Sequence, residues 1–199
     1  MAPARSRSPA ADAGIDVRDR ILETASELFY DRGVRAVGVD LVVAKAGVAK
    51  TSLYRHFGSK DALVAAFLRE EDSDFWRQWD LIDAGHAGDP EAKLAAYLDW
   101  MEVRLRRPGY RGCPQLNVAA EIPDSRHPAR RVAEEHKQKM RERFAMLAGE
   151  LGLPEPEKVG AQLALAFDGA FISAPLDRGD HLAQTLRDTV AALLQSARK

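Results

Sequence analysis

The amino-acid sequence predicts an all-α protein of 199 residues. Apolar residues recur three and four positions apart along most of the chain, which is the spacing that gives a helix one buried face. Helix-favouring Ala, Leu, Arg and Glu dominate, and no Val/Ile/Thr-rich run alternates with polar residues as a half-buried strand would. A chain of this length can bury a sizeable core, either as one body or as two closely packed small domains.

The composition is that of an ordinary globular protein, with 46% hydrophobic and 30% charged residues. The single cysteine, Cys113, excludes an internal disulfide framework and favours a reducing, cytoplasmic setting. No apolar run approaches the roughly 20 residues of a membrane span. Residues 1–15 are rich in Ala, Pro, Ser and Arg without an apolar stretch, so they predict a disordered tail and no signal peptide.

The first helix is predicted over residues 17–32, because Ile21, Ala25 and Phe29 fall on one face. Asp16 is a suitable N-cap, and Gly33 is a suitable stop. This helix is expected to support the two shorter helices that follow.

Residues 39–60 predict two short helices joined by a tight turn. Gly47 suits a position after a helix end that requires a positive φ. The first helix has an apolar inner face that includes Val42 and Val43, and Leu53 and Phe57, four residues apart, give the second helix one as well. This arrangement is a helix-turn-helix, whose second helix normally enters the major groove of DNA.

The distribution of charge agrees with a nucleic-acid partner for the first part of the chain. Lys45, Lys50, Arg55 and Lys60 lie between residues 43 and 60, which include no acidic residue. Residues 1–60 contain ten basic and seven acidic residues, whereas the remainder contains nineteen and twenty-three. The net charge of −1 therefore combines a basic head with an acidic body.

The remainder of the chain predicts five further helical stretches. A long helix begins after Ser59, its N-cap, carries an aromatic seam over residues 75–79 and ends at the break over residues 85–90. Further helices are predicted over residues 90–107, 128–151, about 157–174 and about 180–198. Pro175 separates the last two.

The string Gly-Val-Ala-Lys-Thr-Ser-Leu-Tyr-Arg-His-Phe-Gly-Ser-Lys-Asp-Ala-Leu, residues 47–63, closely resembles the signature of the TetR family of one-component transcriptional regulators. The resemblance extends upstream through Leu-Phe-Tyr-Asp-Arg-Gly, residues 28–33. It implies an all-α homodimer with a helix-turn-helix DNA-binding domain, residues 16–60. A C-terminal domain, residues 61–199, would bind a small-molecule effector and dimerise through its last two helices. In the family, the long fourth helix links the two domains and transmits the signal.

The resemblance also assigns residues that contact a double-stranded DNA operator. Those residues are Gly38, Val39, Lys50, Thr51, Ser52, Tyr54, His56 and Lys60. Residues 50–52 are expected at base edges, and the later three at phosphates. The alternatives are that Tyr54 mainly packs and that His56 caps the helix end.

Three positions depart from the family pattern. Val37 and Gly38 stand where Thr or Ser is usual, and Ala49 replaces the commoner Ser. Gly38 can still act as an N-cap, and the phosphate contact is then expected from a backbone N–H at the start of the helix, at Val39.

A second resemblance covers residues 112–121, Gly-Cys-Pro-Gln-Leu-Asn-Val-Ala-Ala-Glu, which is similar to a stretch that helps to wall the ligand cavity in a subset of the family. The candidate ligand-facing residues are Phe67, Trp76, Tyr97, Trp100, Met101, Cys113, Asn117, Met140, Phe144 and Phe171. The alternative is that these side chains form the core, that Cys113 only packs rather than sensing redox state, and that His136 is a core histidine.

The expected function is that of a ligand-responsive regulator, a repressor released from a palindromic operator by a small, partly apolar effector. The rival interpretation is an effector-independent DNA-binding or architectural protein. An enzyme is disfavoured, because no Ser/His/Asp set, phosphate loop or clustered metal-ligand spacing occurs. No metal or cofactor is expected.

Overall fold

The computed structural model describes residues 16–177 and 181–199. Over these residues the chain forms nine α-helices and no strand, which confirms the predicted all-α fold. The helices are α1 (Val17–Arg32), α2 (Val39–Ala46), α3 (Lys50–Phe57), α4 (Lys60–Gly85), α5 (Pro90–Leu105), α6 (Pro114–Glu121), α7 (Pro128–Glu150), α8 (Pro156–Ser173) and α9 (His181–Ala197). The tail predicted over residues 1–15 lies outside the described residues.

Local capping signals set the starts of α1 and α4 and the ends of α1 and α2, as predicted. The Asp16 carboxylate accepts a hydrogen bond from the backbone N–H of Arg18, and Ser59 Oγ accepts one from Ala62 N at 3.1 Å. Gly33 and Gly47 end α1 and α2 with φ of 84° and 63°. These positive values are accessible to glycine at little cost, which explains why each helix stops where it does.

Helix α5 ends at Leu105, two residues before the predicted Arg107. The N–H of Arg106 still bonds to Glu102 O at 3.1 Å. Pro108 follows Arg107 directly, and the residue before a proline is disfavoured in the helical conformation. The helix therefore ends before Arg107 rather than continuing up to Pro108 and Gly109.

The chain divides into two compact units. Unit 1 comprises the described residues up to Asp74 together with residues 117–133, and unit 2 comprises residues 75–116 and 134–199. This division differs from the boundary expected at residue 60. Leu63, Val64 and Phe67 of α4 are at most 2% exposed in the unit 1 core, where the Phe67 ring lies 5.9 Å from that of Phe29. Their burial extends unit 1 beyond the helix-turn-helix.

Unit 2 has a core built around aromatic side chains from α4, α5, α7 and α8. Trp79 is fully buried, with its ring 4.2 Å from Tyr97 and 5.1 Å from Phe144. His136 is 2% exposed and packs against the rings of Phe75 and Trp76, at centroid distances of 4.8 and 5.2 Å. His136, Met140, Phe144 and Leu147, which recur three and four residues apart on α7, are all buried in this unit.

Charged groups join three helices of unit 2. The Tyr97 hydroxyl donates to Asp83, and the Arg143 guanidinium lies 2.7 Å from Asp80 and 2.9 Å from Asp83. Burial and the hydrogen bond to the Asp83 carboxylate raise the pKa of Tyr97 well above its ordinary value. None of the helices in the described part of the chain has the length and apolar character needed to span a bilayer.

Candidate nucleic-acid interface

Buried apolar side chains hold both helices of the α2–α3 pair on unit 1. Val42 is 1% exposed and Leu53 is fully buried, and both belong to the same hydrophobic cluster as Ile21 of α1. Gly47, in the left-handed conformation, forms the turn between the helices, and its N–H bonds to Val43 O. Because Leu53 fixes the inner side of α3, the other side of this helix is turned to solvent.

The outer face of α3 brings together the polar residues predicted to contact DNA. Lys50, Thr51, Tyr54 and His56 are exposed, and Ser52 is half-buried. Tyr54 is 44% exposed, so it does not pack into the core. Residues 50–52 form the first turn of α3, which follows Ala49 as N-cap. The face therefore presents hydroxyls, an amine, a phenol and an imidazole along one helix.

The start of α2 offers backbone donors at an open surface. Gly38 caps the helix in an extended conformation, φ −85° and ψ 159°, with no side-chain hydrogen bond. Nothing lies within 4 Å of the point where a Cβ of residue 38 would stand. The first N–H groups of a helix have no partner within it, so the N–H of Val39 can meet an anion there.

An ion pair that the sequence analysis missed lies beside this face. Lys50 Nζ is 2.8 Å from Asp40 Oδ1 of α2. The hydrogen bond to Asp40 raises the pKa of Lys50 above its ordinary value. The acid-free segment considered above begins after Asp40, which is why the pairing was overlooked.

Lys60 occupies a different setting from the residues of α3. Its side chain is half-buried, and Nζ donates to Val34 O at 2.6 Å. It lines a cleft of about 260 Å³ within unit 1, together with the carboxylates of Asp61 and Glu121. The structure thus places Lys60 apart from the exposed α3 face, and its phosphate contact stays a prediction.

The candidate ligand-facing residues do not form one group. Phe67 and Asn117 belong to unit 1, and the other eight belong to unit 2. Trp100 is half-buried and the seven remaining residues of unit 2 are buried in its hydrophobic cluster. Trp76, Tyr97, Met101, Met140, Phe144 and Phe171 are each at most 4% exposed, and Cys113 is 5% exposed.

Helix α8 exposes an apolar face that the sequence analysis did not single out. Leu165 and Ile172, seven residues apart on one face of α8, are 73% and 49% exposed. Gly169 lies between them, with open space at its Cβ position. Leu176, three residues beyond the end of α8 at Ser173, is 85% exposed. The same helix also has residues that are buried in unit 2, namely Leu163, Phe167, Ala170 and Phe171. Contiguous exposed apolar residues of this kind mark interaction surfaces.

Comparison with known proteins identifies the family. Residues 21–67 match the family model described as bacterial regulatory proteins, tetR family. The solved structure of SCO4454, a TetR-family transcriptional regulator from Streptomyces coelicolor, superposes with a TM-score of 0.87 at 30% identity, covering 92% of this chain and 96% of that one.

Two curated relatives match over shorter stretches. The transcriptional activator FasR of Mycolicibacterium smegmatis is 48% identical over 52 residues, which are 26% of this chain and 24% of that protein. The transcriptional repressor KstR2 of the same organism is 37% identical over 95 residues, 47% of this chain and 43% of that protein. The chain thus spans less than half the length of these two relatives, but nearly all of the solved regulator. From the helix-turn-helix match and the likeness to SCO4454 over 92% of the chain, we conclude that this chain belongs to the TetR family of transcriptional regulators.

Proposed function

We propose that this protein is a ligand-responsive repressor that binds a near-palindromic operator as a homodimer in the cytoplasm. The observation that carries the proposal is the exposed outer face of α3, residues 50–56, on a helix-turn-helix fixed by buried Leu53. Helices of this kind place their N-terminal residues against base edges in the major groove.

Two sets of contacts follow from this placement. Lys50, Thr51 and Ser52 read base edges, because they occupy the first turn of α3. Tyr54 and His56 further along the helix, and the N–H of Val39 beyond the Gly38 cap, bind phosphates. Lys60 supplies a further phosphate contact with the protons that its bond to Val34 leaves free.

The homodimer forms through the last two helices, with the exposed face of α8 at its centre. Burying Leu165, Ile172 and Leu176 against a second copy removes apolar surface from water, and open Gly169 lets the two backbones approach closely. Two copies of α3 then reach successive major grooves about 34 Å apart, so the operator shares the two-fold symmetry of the dimer.

The effector binds unit 2 and favours a dimer that no longer fits the operator. Such a shift requires that the effector bind this state more tightly than the DNA-bound one. The aromatic cluster of unit 2 supplies apolar contacts for a small molecule. The two curated relatives named above act in opposite directions, one as activator and one as repressor. The names of these relatives therefore do not decide between repression and activation. We propose repression, and transcription from the regulated promoter tests it.

The test is selection of operator sequences from a random double-stranded library at moderate salt, followed by binding assays of three variants. We expect a palindromic consensus whose affinity falls at least tenfold in Lys50→Ala and in Tyr54→Ala, because single base or phosphate contacts contribute on this scale. Lys158→Ala is the matched control, since Lys158 is an exposed lysine of unit 2 paired with Glu155.

A different result would support the rival interpretation. If no consensus emerges and binding simply weakens as salt rises, equally in all three variants, the protein is an effector-independent DNA-binding or architectural protein. A transcription assay from the selected operator then separates repression from activation.

A further inference from the structure

Two hydrogen-bond donors buried in unit 2 have no acceptor among the described residues and share the same aromatic neighbours. They are the indole N–H of Trp79 and the Nε–H of Arg104. Trp79 is fully buried, so no solvent reaches its donor. Most buried polar groups in folded proteins are hydrogen-bonded, and an exception calls for a ligand or another explanation.

The two donors border the same pair of aromatic rings. The Trp79 ring lies 5.7 Å from Phe75 and 6.3 Å from Trp100. The Arg104 guanidinium carbon lies 5.8 Å from the ring of Phe75 and 5.8 Å from that of Trp100. It also lies 6.0 Å from the ring of Tyr110. The two rings thus have an indole donor and a guanidinium as common neighbours.

Arg104 differs from two other arginines of unit 2. Arg143 contacts Asp80 and Asp83, and Arg187 contacts Asp99 and Glu102. Each of these guanidinium groups is therefore neutralised by two carboxylates. The contacts described for Arg104 are instead with aromatic faces, and stacking on rings leaves the edge of a guanidinium able to bind a carboxylate.

The stretch of chain that begins at Arg104 is basic. Residues 104–111, Arg-Leu-Arg-Arg-Pro-Gly-Tyr-Arg, include four arginines and no acid. Lys139 lies 4.4 Å from the ring of Trp76, which in turn packs on Phe75 at 5.0 Å. Trp100, Arg104 and Tyr110 are half-buried, so this side of the cluster reaches the surface.

We propose that Trp79 and Arg104 bind the carboxylate of a small organic acid whose aromatic or acyl body packs on Phe75 and Trp100. The guanidinium of Arg104 supplies the charge-assisted bond, and the indole N–H of Trp79 donates a neutral one. This inference rests on the proposed function, because it names the chemical class of the effector. It goes beyond that proposal by assigning the two polar contacts.

The first experiment measures ligand binding by the full-length protein in the absence of DNA. Isothermal titration calorimetry compares 2-naphthoate and octanoate with their uncharged amides. We expect at least one acid to bind, and to bind at least tenfold more tightly than its amide. In Arg104→Met, which keeps an apolar stem of similar length, the preference for the acid is expected to disappear.

Arg106→Met is the matched control for charge. Arg106 lies two residues away, is exposed, and pairs with Glu102 at 3.1 Å. Its replacement removes the same formal charge but should leave the preference for the acid within about twofold, since exposed charges are screened by solvent and salt. An equal loss in Arg104→Met and Arg106→Met would overturn the assignment to Arg104.

Trp79→Phe tests the second donor. An amide also carries a carbonyl acceptor, so the loss of the indole N–H should weaken the acid and its amide by similar factors, about threefold to tenfold. Far-UV circular dichroism and urea denaturation of the ligand-free variant establish whether it remains folded. Unchanged affinities in a folded Trp79→Phe protein would remove Trp79 from the site.

Failure of this inference is distinguishable from failure of the proposed function. If the amides bind as tightly as the acids, or if neither acid binds at millimolar concentration, the carboxylate site is wrong, whether or not an operator is found. If an acid binds with the expected preference while no operator is recovered, the carboxylate site stands and the DNA-binding proposal fails.

Discussion

The Asp40 carboxylate forms an ion pair with the amino group of Lys50, which we propose contacts base edges of the operator. Lys50 Nζ must exchange Asp40 for DNA on binding, and Asp40 itself repels phosphates. We expect Asp40→Asn to bind the operator about threefold to tenfold more tightly, with a steeper dependence of log affinity on log salt. Fluorescence anisotropy of a labelled operator across a salt series measures both quantities.

The double variant Asp40→Asn with Lys50→Ala separates two causes of that gain. If release of Lys50 is responsible, the Asp40 substitution should give little gain when Lys50 is absent. A gain of undiminished size would show that Asp40 acts only as a negative charge near the DNA, and would contradict the role given to the ion pair.

Gly33 is a position where the backbone and its surroundings both require glycine. Its φ is 84° and its ψ is 153°, a region that L side chains rarely adopt. A Cβ there would stand 2.7 Å from Glu121 Oε1. The other carboxylate oxygen of Glu121 accepts a hydrogen bond from Arg35 N at 2.8 Å. This bond would be strained or broken if the carboxylate moved away from a Cβ at residue 33.

Gly33→Ala is therefore expected to lower the free energy of unfolding by about 1 to 3 kcal/mol. Urea denaturation followed by circular dichroism measures the loss. Gly149→Ala is the control, because Gly149 is helical with open space at its Cβ position and should gain up to about 1 kcal/mol. Equal unfolding energies for the two variants would contradict the role of the Glu121 contact.

At the scale of elements, the bounds of helices were predictable where the signal is local. Asp16, Gly33, Gly47 and Ser59 each end or begin a helix through groups within a few residues of themselves. The inner faces were predictable for the same reason, since helical periodicity is a property of neighbouring positions. The buried stripe of α7 follows from its spacing alone.

The contacts between helices could not be predicted, because helical spacing does not specify which helices pack against each other. The sequence shows that α8 is apolar on several sides, but only packing decides that Leu163 is buried and Leu165 exposed. Gly160 illustrates the same point, because a Cβ there would clash with the backbone N of Ala145 in unit 2, a close approach that helical spacing does not specify. The pairing of Lys50 with Asp40 likewise requires the turn geometry between two helices.

The contact between α5 and α4 through Tyr97 makes the stability of the folded protein depend on pH in the alkaline range. The folded protein raises the pKa of Tyr97, so the folded state holds this proton more tightly than the unfolded state. The resulting stabilisation is complete below the unfolded pKa of about 10 and is lost as pH rises above it. We expect the free energy of unfolding to fall more steeply above pH 10 in the native protein than in Tyr97→Phe.

Chemical denaturation at pH 8 to 11 provides the measurement. The comparison with Tyr97→Phe subtracts the titration of other tyrosines and lysines, which both proteins share. Parallel stability curves for the two proteins would mean that the hydroxyl of Tyr97 and the Asp83 carboxylate do not interact in solution.

At the scale of the whole molecule, a family of dimers provides the context for the exposed face of α8. The substitution Leu165→Glu would bury two glutamates next to each other at the two-fold axis of the proposed dimer, one from each copy. Burying two like charges away from water is strongly unfavourable. We expect this variant to be monomeric by sedimentation velocity at micromolar concentration and to lose operator affinity by at least a hundredfold.

Leu81→Glu controls for the general effect of replacing an exposed leucine. Leu81 belongs to α4 in unit 2 and is 62% exposed, close to the 73% of Leu165. It should remain dimeric and bind the operator normally. A monomeric Leu81→Glu, or a dimeric Leu165→Glu, would move the interface away from the α8 face.

Unit 1 is assembled from two separate pieces of the chain, which limits how such regulators can be recombined. Residues 117–133 contribute Val118, Ala129 and Val132 to its core, and Glu121 fastens to Arg35. A chimera that joins a foreign N-terminal segment at one crossover in α4 would keep those residues but lose the surface that they evolved to fit. Transferring the DNA-binding unit to another regulator therefore requires that both segments of unit 1 be exchanged together.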